Sequence, residues 1–498
     1  MDSSLNAARR SRELRRVAEE RVDVLVVGLG ATGAGAALDA ASRGLSVAAI
    51  DAHDLAFGTS RWSSKMVHGG LRYLAKGQVG VAHESAVERG ILLRRTAPHL
   101  VRAHPYLLPL TPAVSRRQAA LVMTGYRLGD GLRAATRTPR RLLPGPTRLN
   151  AARAHTLAPI LRTEGLRGAL LSWDGRLLDD ARLVVALART AAAHGARVLT
   201  RCRALRLTGH GAQVRDELTG EEFTIRATVV INAAGVWAGG LDPQVRLRPS
   251  RGSHLVLEPG TLPGLIAGVH VPVPGESNRF ALVLPQPDGR IYVGLTDEPV
   301  DGPVPDVPEV PEEDVRTLLG VLNGVLEVPV TREAVAGAYA GLRPLLAADG
   351  RTADLSREHA VFSEGGVVTV VGGKLTTYRR MAEDAVDRAV SSGKLRARRC
   401  RTRRIPLVGA GPRPSGVPAR LAERYGAEAG AVHALVKEHP EEVGLGLTKG
   451  ELLWSVLHEG ALDEGDLLDR RTRIGLVGRD RDRALPATRD VLERFSRA

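Results

Sequence analysis

The chain carries Val24-Leu25-Val26-Val27-Gly28-Leu29-Gly30-Ala31-Thr32-Gly33, in which an apolar strand runs into a glycine-rich turn. Small residues then favour a helix from Ala31 to Arg43, and an apolar run from Leu45 to Ile50 stops at Asp51. The glycines let the backbone approach a pyrophosphate at the helix N-terminus, and Asp51 lies where an acid would bond a ribose hydroxyl. We therefore predict a dinucleotide site here; a glycine-rich βα turn in an unrelated α/β fold is the alternative.

The composition favours a multidomain protein of a reducing cytoplasm. The 498 residues exceed one ordinary domain, and 43% of them are hydrophobic. No uninterrupted apolar run reaches the roughly 18 residues that a membrane-spanning helix needs. The two cysteines, Cys202 and Cys400, lie far apart and have no metal-ligand spacing, so we expect neither a disulfide framework nor a metal.

The formal net charge is +15, and much of the excess lies in 394–404 and in 116–148. A nucleic acid, an anionic membrane and an anionic small substrate compete as explanations. Aromatic residues make up only 3% of the chain and none lies in 394–404, which weighs against base stacking there. We expect no nucleic-acid partner, and a solvated basic linker remains the plain alternative for 394–404.

The periodicity predicts an amphipathic helix from Arg116 to Ala135, a strong helix from Asp180 to His194, and a β pattern from Arg248 to Pro299. From Val417 to the C-terminus the pattern predicts helices only. The fingerprint GxGxxG occurs once in a strand context, which indicates one bound dinucleotide.

Several motifs together are more specific than a dinucleotide turn. With the stretch from Gly28 to Gly44, they resemble the FAD-dependent glycerol-3-phosphate dehydrogenases of the D-amino-acid-oxidase-like flavoprotein superfamily, from about residue 20 to the end. The other motifs are Thr59-Ser60-Arg61-Trp62-Ser63-Ser64-Lys65-Met66-Val67-His68-Gly69-Gly70-Leu71-Arg72-Tyr73-Leu74, Arg251-Gly252-Ser253-His254, Gly341-Leu342-Arg343-Pro344-Leu345, Gly372-Gly373-Lys374-Leu375-Thr376-Thr377-Tyr378-Arg379, Leu457-His458-Glu459-Gly460-Ala461 and Asp469-Arg470-Arg471-Thr472-Arg473.

The resemblance implies an α/β fold with a discontinuous, Rossmann-like FAD-binding domain of the glutathione-reductase type. A β-rich substrate domain and a C-terminal all-helical domain complete it. The expected boundaries are 20–110, 176–245 and 351–392 for the three parts of the FAD-binding domain, 111–175 for a membrane-facing cap and substrate-domain segment, 246–350 for the β-rich substrate domain, and 405–498 for the helical domain.

The family implies FAD as cofactor and the oxidation of sn-glycerol 3-phosphate to dihydroxyacetone phosphate, with electrons passed to a membrane quinone. His254 would accept the hydroxyl proton and Arg343 would stabilise the reacting oxygen. The resemblance assigns substrate binding to Arg72, Tyr73, Lys374 and Tyr378. It assigns FAD contacts to Gly28, Gly30, Gly33, Asp51, Thr59, Ser60, Ser64, Lys65, His68, Gly69, Gly70, Leu71, Ala233, Gly235, Gly373, Leu375 and Thr376.

Several alternatives stay open at this point. An oxidase that passes electrons to O₂ and forms H₂O₂ shares the fold, and a basic nucleic-acid-binding protein with a degenerate flavin fold is a distant third. His68 is the second candidate base. From the sequence, Asp39 is interpreted as a helical partner of Arg43 and Asp297 as a turn residue. We expect peripheral contact with the anionic inner face of the cell membrane through 116–135, unless that helix packs on the core; a homodimer is left open.

Overall fold

The computed structural model describes residues 2–70, 73–74, 77–276, 279–347 and 358–495. Within these ranges, one sheet has eight strands in the order β17-β18-β10-β1-β2-β7, with β8 and β9 attached through β10. The pairs that join β18, β10, β1, β2 and β7 are parallel. These strands are β1 Val22–Val27, β2 Val47–Ile50, β7 Arg197–Leu199, β8 Cys202–Thr208, β9 Gly211–Asp216, β10 Glu222–Asn232, β17 His359–Glu364 and β18 Val367–Gly372.

A second sheet has ten strands among the described residues, in the order β15-β11-β14-β13-β12-β4-β6-β3, with β16 on β11 and β5 on β6. Most of its pairs are antiparallel, and among the described strands β4 and β12 form the one parallel pair. Its strands are β3 Met66–Val67, β4 Val101–Pro109, β5 Thr147–Leu149, β6 Ala169–Leu177, β11 Ser250–Leu257, β12 Gly268–Pro272, β13 Phe280–Pro285, β14 Ile291–Gly294, β15 Glu298–Pro299 and β16 Val335–Arg343.

Helices cover both sheets and form the C-terminal region. The helix Ala31–Ser42 packs against both Asp180–Ala193 and Tyr378–Ser392 in the largest core cluster. Its small residues allow the two neighbours to approach closely. The helices are α1 Ala7–Glu19, α2 Ala31–Ser42, α3 Val79–Ile91, α4 Arg116–Ala135, α5 Ala151–Leu157, α6 Asp180–Ala193, α7 Ala238–Leu241, α8 Glu312–Asn323, α9 Tyr378–Ser392, α10 Ala419–Tyr425, α11 Ala429–Glu438, α12 Lys449–His458 and α13 Gly478–Phe495.

Strand β1 lies between β10 and β2, with Val27 opposite Asn232 on one side and Ile50 on the other. After β1 the chain continues to β2 on one side, whereas after β10 it next enters this sheet at β17 and β18 on the other side. A crevice opens at the carboxyl ends of parallel strands where this happens, which is where open α/β sheets bind ligands. The glycine turn after Val27 lies at this point.

The C-terminal domain is mostly helical, but the prediction of helices alone was incomplete. Strands β19 Glu442–Gly444 and β20 Leu447–Thr448 form a short antiparallel hairpin before α12. The turn residues Gly444 and Gly446 both have positive φ, which suits glycine. The side chain of Glu451 completes a capping box with Thr448 at the start of α12.

Buried ion pairs join the C-terminal domain to the first sheet's layer of helices. Asp54, which is fully buried, accepts hydrogen bonds from Arg470 and Arg471 at 2.6–2.9 Å. Glu459 accepts one from Arg182 on α6 at 2.6 Å. Burial alone would raise the pKa of Glu459, but Arg182 and neighbouring arginines lower it to about 2. Breaking one such pair leaves an uncompensated buried charge, so the two regions form one packed unit.

Helix α1 packs on the first sheet rather than fraying, because Val17 is fully buried and Arg10 binds the Thr200 carbonyl oxygen at 2.8 Å. Among the residues that the structure describes, we find no helix with both the length and the apolar character required to cross a membrane.

Candidate active site

A cavity of about 1090 Å³ lies where the two sheets meet. One side, here called the dinucleotide wall, is formed by Gly28, Gly30, Asp51, Ala233 and Gly235. The facing side, here called the substrate wall, carries His254, Arg343 and Lys374. The fold therefore brings the glycine fingerprint and the candidate catalytic residues to one cavity, although Gly28 and Lys374 are more than 300 positions apart in the sequence.

The glycine turn leaves no room for a side chain at Gly28 or Gly33. Gly28 has a φ of +98°, and a Cβ there would lie 2.6 Å from the carbonyl oxygen of Ala233. A Cβ on Gly33 would lie 1.8 Å from the carbonyl oxygen of Gly28. Gly33 thus stands behind the cavity wall and lets helix α2 approach the turn, while Gly28 and Gly30 face the cavity.

Asp51 braces this turn from the end of β2. Its Oδ2 accepts the backbone N–H of Leu29 at 2.7 Å, and its Oδ1 accepts the N–H of His53 at 2.9 Å. Burial raises the pKa of Asp51 to about 6, although these two donors oppose the rise. Each oxygen retains a second lone pair for a hydroxyl donor from the cavity.

Two further loops complete the dinucleotide wall. Ser60 accepts the N–H of Ala31 at the start of α2 at 2.9 Å, and Thr59 donates to the carbonyl oxygen of Leu342 at 2.6 Å. Gly373 has a φ of +68°, and a Cβ there would lie 2.4 Å from the sulfur of Met381. The positive φ makes any other residue strained at Gly373, and Met381 would have to move for its Cβ. Leu375 and Thr376 follow it along the cavity lining.

His254 lies on β11, with a side chain only 1% exposed. Its Nε2 is 2.8 Å from Ser64 Oγ, and its ring stacks on Tyr339 at 4.7 Å between centroids. A Cβ on Gly294 would overlap the ring, so that glycine makes the space. Burial lowers the pKa of His254 to about 3, and the positive charges of Lys65 and Arg343 add to the effect. The imidazole is therefore neutral at pH 7 and able to accept a proton.

Arg343 ends β16 beside the cavity and is held in a fixed direction. Its guanidinium donates to Asp297 Oδ1 at 3.2 Å, to Ser250 Oγ at 3.1 Å and to the Thr296 carbonyl oxygen at 3.0 Å. Asp297 does lie in the connection between β14 and β15, as a turn residue would, but it has a further role. Its carboxylate is an ion-pair partner of Arg343, which the sequence does not signal because β14 and β16 meet only through β11.

Lys374 lies next to an aromatic side chain. Its Nζ is 4.0 Å from the centroid of the Tyr73 ring and also donates to Ser85 Oγ on α3. Tyr73, Lys374, Ser64 and His68 all line the cavity. Tyr378 also reaches it but is 3% exposed, with its ring against Gly35 of α2. The structure therefore gives the ring of Tyr378 a packing role beneath the wall.

Three further expected FAD contacts, Lys65, Gly69 and Gly70, are not among the described residues that line the cavity. Lys65 is 2% exposed, and its Nζ donates to Asp180 at 2.7 Å and to the Arg61 carbonyl oxygen at 2.9 Å, so its side-chain assignment is corrected. Gly69 donates its N–H to Asp174, and a Cβ on Gly70 would meet Ser85. Leu71 and Arg72 lie outside the described residues.

The sequence did not predict that helix α4 borders the same cavity. Leu121, Val122 and Tyr126 of α4 line it, opposite His270 and Phe280. Tyr126 is buried against Leu108, Leu110 and Leu170, whereas Leu121 and Leu128 are 69% and 58% exposed. The amphipathic helix therefore packs on the protein with one face and carries exposed leucines on another.

Comparison with known proteins decides the family. A family model described as "FAD dependent oxidoreductase" matches residues 23–388, and one described as "C-terminal domain of alpha-glycerophosphate oxidase" matches residues 400–497. Glycerol-3-phosphate dehydrogenase 1 of Mycobacterium tuberculosis is 53% identical over 510 residues, covering 99% of both chains. The chain belongs to the FAD-dependent glycerol-3-phosphate dehydrogenase family.

Further relatives agree with this assignment. The mitochondrial glycerol-3-phosphate dehydrogenase SDP6 of Arabidopsis thaliana is 33% identical, covering 98% of this chain and 84% of the relative. The structure of the glycerol-3-phosphate dehydrogenase from Bacillus halodurans, complexed with FAD, superimposes with a TM-score of 0.76 at 27% identity, covering 99% and 96% of the two chains. The fold class and the FAD dependence predicted from the sequence are confirmed.

The dinucleotide wall fits FAD on its own geometry. A Cβ at Gly28 or Gly33 would overlap backbone atoms, Gly373 has a positive φ, and the N-terminus of α2 points into the turn. Such a wall suits a pyrophosphate, which needs close backbone approach and the positive end of a helix. The parallel sheet and the cavity volume leave room for an extended dinucleotide along the carboxyl ends of β1 and β2.

Proposed function

We propose that this enzyme oxidises sn-glycerol 3-phosphate to dihydroxyacetone phosphate with FAD and passes the electrons to a membrane quinone. The observation that carries the proposal is the pairing of walls in one cavity. A dinucleotide wall faces a neutral buried histidine, a fixed guanidinium and a lysine. An anionic alcohol requires these groups: a base for its hydroxyl proton and cations for its charge. The relatives named glycerol-3-phosphate dehydrogenase support the choice of substrate.

The side chains of the substrate wall divide the work. FAD, when bound, accepts the hydride from the substrate carbon. His254 is the final proton acceptor: the Ser64 hydroxyl, 2.8 Å from Nε2, passes its own proton to that nitrogen as it takes the hydroxyl proton of the substrate. Arg343 stabilises the negative charge that develops on the oxygen. Lys374, with Tyr73 beneath its ammonium, attracts the phosphate, and the family resemblance assigns Arg72 to the same role.

The electron acceptor is the second part of the proposal. Leu121 and Leu128 are exposed to solvent and also line the cavity, so an apolar acceptor would meet apolar side chains on its way in. This arrangement favours a quinone over O₂. To test it, the substrate-reduced enzyme is mixed with a soluble quinone analogue or with O₂ alone. Fast reoxidation by the quinone and slow peroxide formation support the proposal, whereas rapid peroxide formation identifies an oxidase.

The membrane surface is the third part. Arg116, Arg117 and Arg127 are exposed on α4 beside its two exposed leucines, and most of the basic residues of 394–404 are exposed as well. Each basic residue near an anionic bilayer contributes about 1 kcal/mol, which salt screens. We expect flotation with anionic but not zwitterionic liposomes. Reversing the charge of these three arginines should release the enzyme without loss of activity toward a soluble dye; unchanged flotation would remove α4 from the anchor.

A further inference from the structure

The candidate base is held by a short segment, 61–65, that lies between two domains. Ser64 of this segment places its Oγ 2.8 Å from His254 Nε2. Tyr339 donates its hydroxyl to the Ser63 carbonyl oxygen at 3.1 Å while its ring stacks on His254. The position of segment 61–65 therefore sets the position of the hydroxyl that touches the base.

Asp180, at the first turn of α6, fixes segment 61–65 from below. Its Oδ2 accepts the Ser63 N–H at 3.0 Å, the Ser63 hydroxyl at 2.7 Å and the Lys65 ammonium at 2.7 Å. The carboxylate is completely buried, with Asp179 beside it, also buried. Two adjacent buried carboxylates need more than one cation, because an uncompensated buried charge is strongly unfavourable.

The second cation comes from the C-terminal domain. Arg473 is 4% exposed; its Nη2 donates to the Arg61 carbonyl oxygen and lies 3.7 Å from Asp180 Oδ1. Its Nε lies 3.9 Å from Asp179 Oδ2. Its backbone has a φ of +67°, a conformation that a residue other than glycine keeps only when its surroundings hold it. The domain thus presents this guanidinium to segment 61–65 in one fixed orientation.

We propose that Arg473 is a positioning residue for the oxidation of the substrate, and that the C-terminal domain thereby forms part of the active-site scaffold. The inference rests on the proposed function, in which His254 accepts the proton. Arg473 and Lys65 together balance Asp179 and Asp180, and the hydrogen bond to Arg61 holds segment 61–65 against the carboxylates. Without Arg473, the segment and Ser64 lose a fixed position, and the histidine loses its orienting hydroxyl.

The test compares two buried arginines that bridge helix α6 and the C-terminal domain. Arg473→Met removes the donor that reaches segment 61–65. Arg189→Met is the matched control, because Arg189 is 3% exposed and pairs with Glu428 far along the same helix. The readouts are FAD content, thermal midpoint and the rate constant of flavin reduction by sn-glycerol 3-phosphate in a single anaerobic turnover. A crystal structure of Arg473→Met adds the distance from Ser64 Oγ to His254 Nε2.

For Arg473→Met we expect the maximal reduction rate constant to fall about 100-fold, since a small misplacement of a catalytic group costs that much. The half-saturating substrate concentration and FAD content should stay near wild type, and the Ser64–His254 distance should exceed hydrogen-bonding range. Arg473→Lys should lie between wild type and Arg473→Met. The control should keep the wild-type rate constant per bound flavin, whatever its thermal midpoint.

Equal rate constants for Arg473→Met, Arg189→Met and wild type would overturn the inference and leave Arg473 a purely structural residue. If Arg473→Met does not fold, Arg473→Lys is the deciding variant, because it keeps the charge but lacks the several N–H donors of the guanidinium. An unchanged rate constant of flavin reduction in Arg473→Lys would then overturn the inference. A His254→Ala variant, measured in parallel, distinguishes a failure of the proposed function from a failure of the present inference. If that variant reduces at the wild-type rate, the proposed base is wrong; if it is slow while the Arg473 variants are not, only the present inference fails.

Discussion

The dinucleotide wall and the substrate wall of the cavity differ in the atoms that form them. The dinucleotide wall relies on backbone and on glycines that lack side chains, and its turn and its acid both lie within the contiguous stretch from Val24 to Asp51. The substrate wall consists of charged and polar side chains from two strands and a turn that are far apart in the chain. His254 needs Ser64, and Arg343 needs Asp297.

The difference shows how each wall acquires its chemistry. Glycines bind a pyrophosphate through local geometry, which a few neighbouring residues determine. A base and a guanidinium acquire their protonation state and direction from burial and from distant partners. Mutations on the dinucleotide wall should therefore change cofactor binding, and those on the substrate wall should change rate with the cofactor in place.

The largest effect is expected for His254→Ala. Removing a general base typically costs 100- to 10,000-fold, so the rate constant of flavin reduction should fall by about that range with FAD content unchanged. His270→Ala is the matched control, because His270 lines the same cavity from β12, three strands away from His254 on β11. Single-turnover spectroscopy measures both. A His68→Ala variant that is slow, beside a fast His254→Ala, would move the base to His68.

Gly33→Ala should break the dinucleotide wall instead. The new methyl group would lie 1.8 Å from the carbonyl oxygen of Gly28, so the turn must shift. Such overpacking costs about 1–3 kcal/mol, which corresponds to about 5- to 160-fold in FAD affinity if the cost falls on the bound turn. FAD content after dialysis and a binding titration measure the loss. Gly80→Ala, which meets nothing within 4 Å, should bind FAD normally; a fully loaded Gly33→Ala protein would contradict the account of the turn.

Much of the dinucleotide wall could be predicted from the sequence because its contacts are local. The turn at Gly28 and the acid at Asp51 follow from the glycine spacing and the end of the apolar run. Outside this wall, the helix Arg116–Ala135 follows from its hydrophobic period. The partner of Arg343 could not be predicted, because Asp297 meets it only once β14, β15 and β16 have assembled around β11. The prediction of Lys65 as an FAD contact was wrong for the same reason, because its partner Asp180 is 115 positions away in the sequence.

Asp297→Asn should have a smaller effect on the substrate wall. It keeps the shape of the side chain but removes the charge that directs Arg343, and a hydrogen bond between charged groups is worth about 1.5–3 kcal/mol. We expect the maximal rate constant to fall by about tenfold or more, with little change in FAD content. Asp306→Asn, an exposed carboxylate bordering the same cavity, is the control. Equal rate constants for the two variants would show that Asp297 does not direct Arg343.

We expect the smallest effect from a change of pH, because the rate constant of flavin reduction should hardly depend on it. Only neutral His254 accepts a proton, and because burial lowers its pKa to about 3, the neutral form persists as the pH falls well below 6.5. The reduction rate constant at saturating substrate should therefore stay level from about pH 7.5 to about pH 5. An acid limb with a midpoint near 6.5 in the wild type, absent from His254→Ala, would show that His254 is not held neutral by its surroundings.

Anaerobic titration of the purified protein with sn-glycerol 3-phosphate tests the central claim most directly. We predict a yellow protein whose flavin absorbance bleaches on addition of the substrate, with dihydroxyacetone phosphate formed in equal amount. Glycerol, which lacks the phosphate that Lys374 attracts, should leave the flavin oxidised at the same concentration. A protein that binds no flavin, or a flavin that stays oxidised in excess sn-glycerol 3-phosphate, would contradict the account.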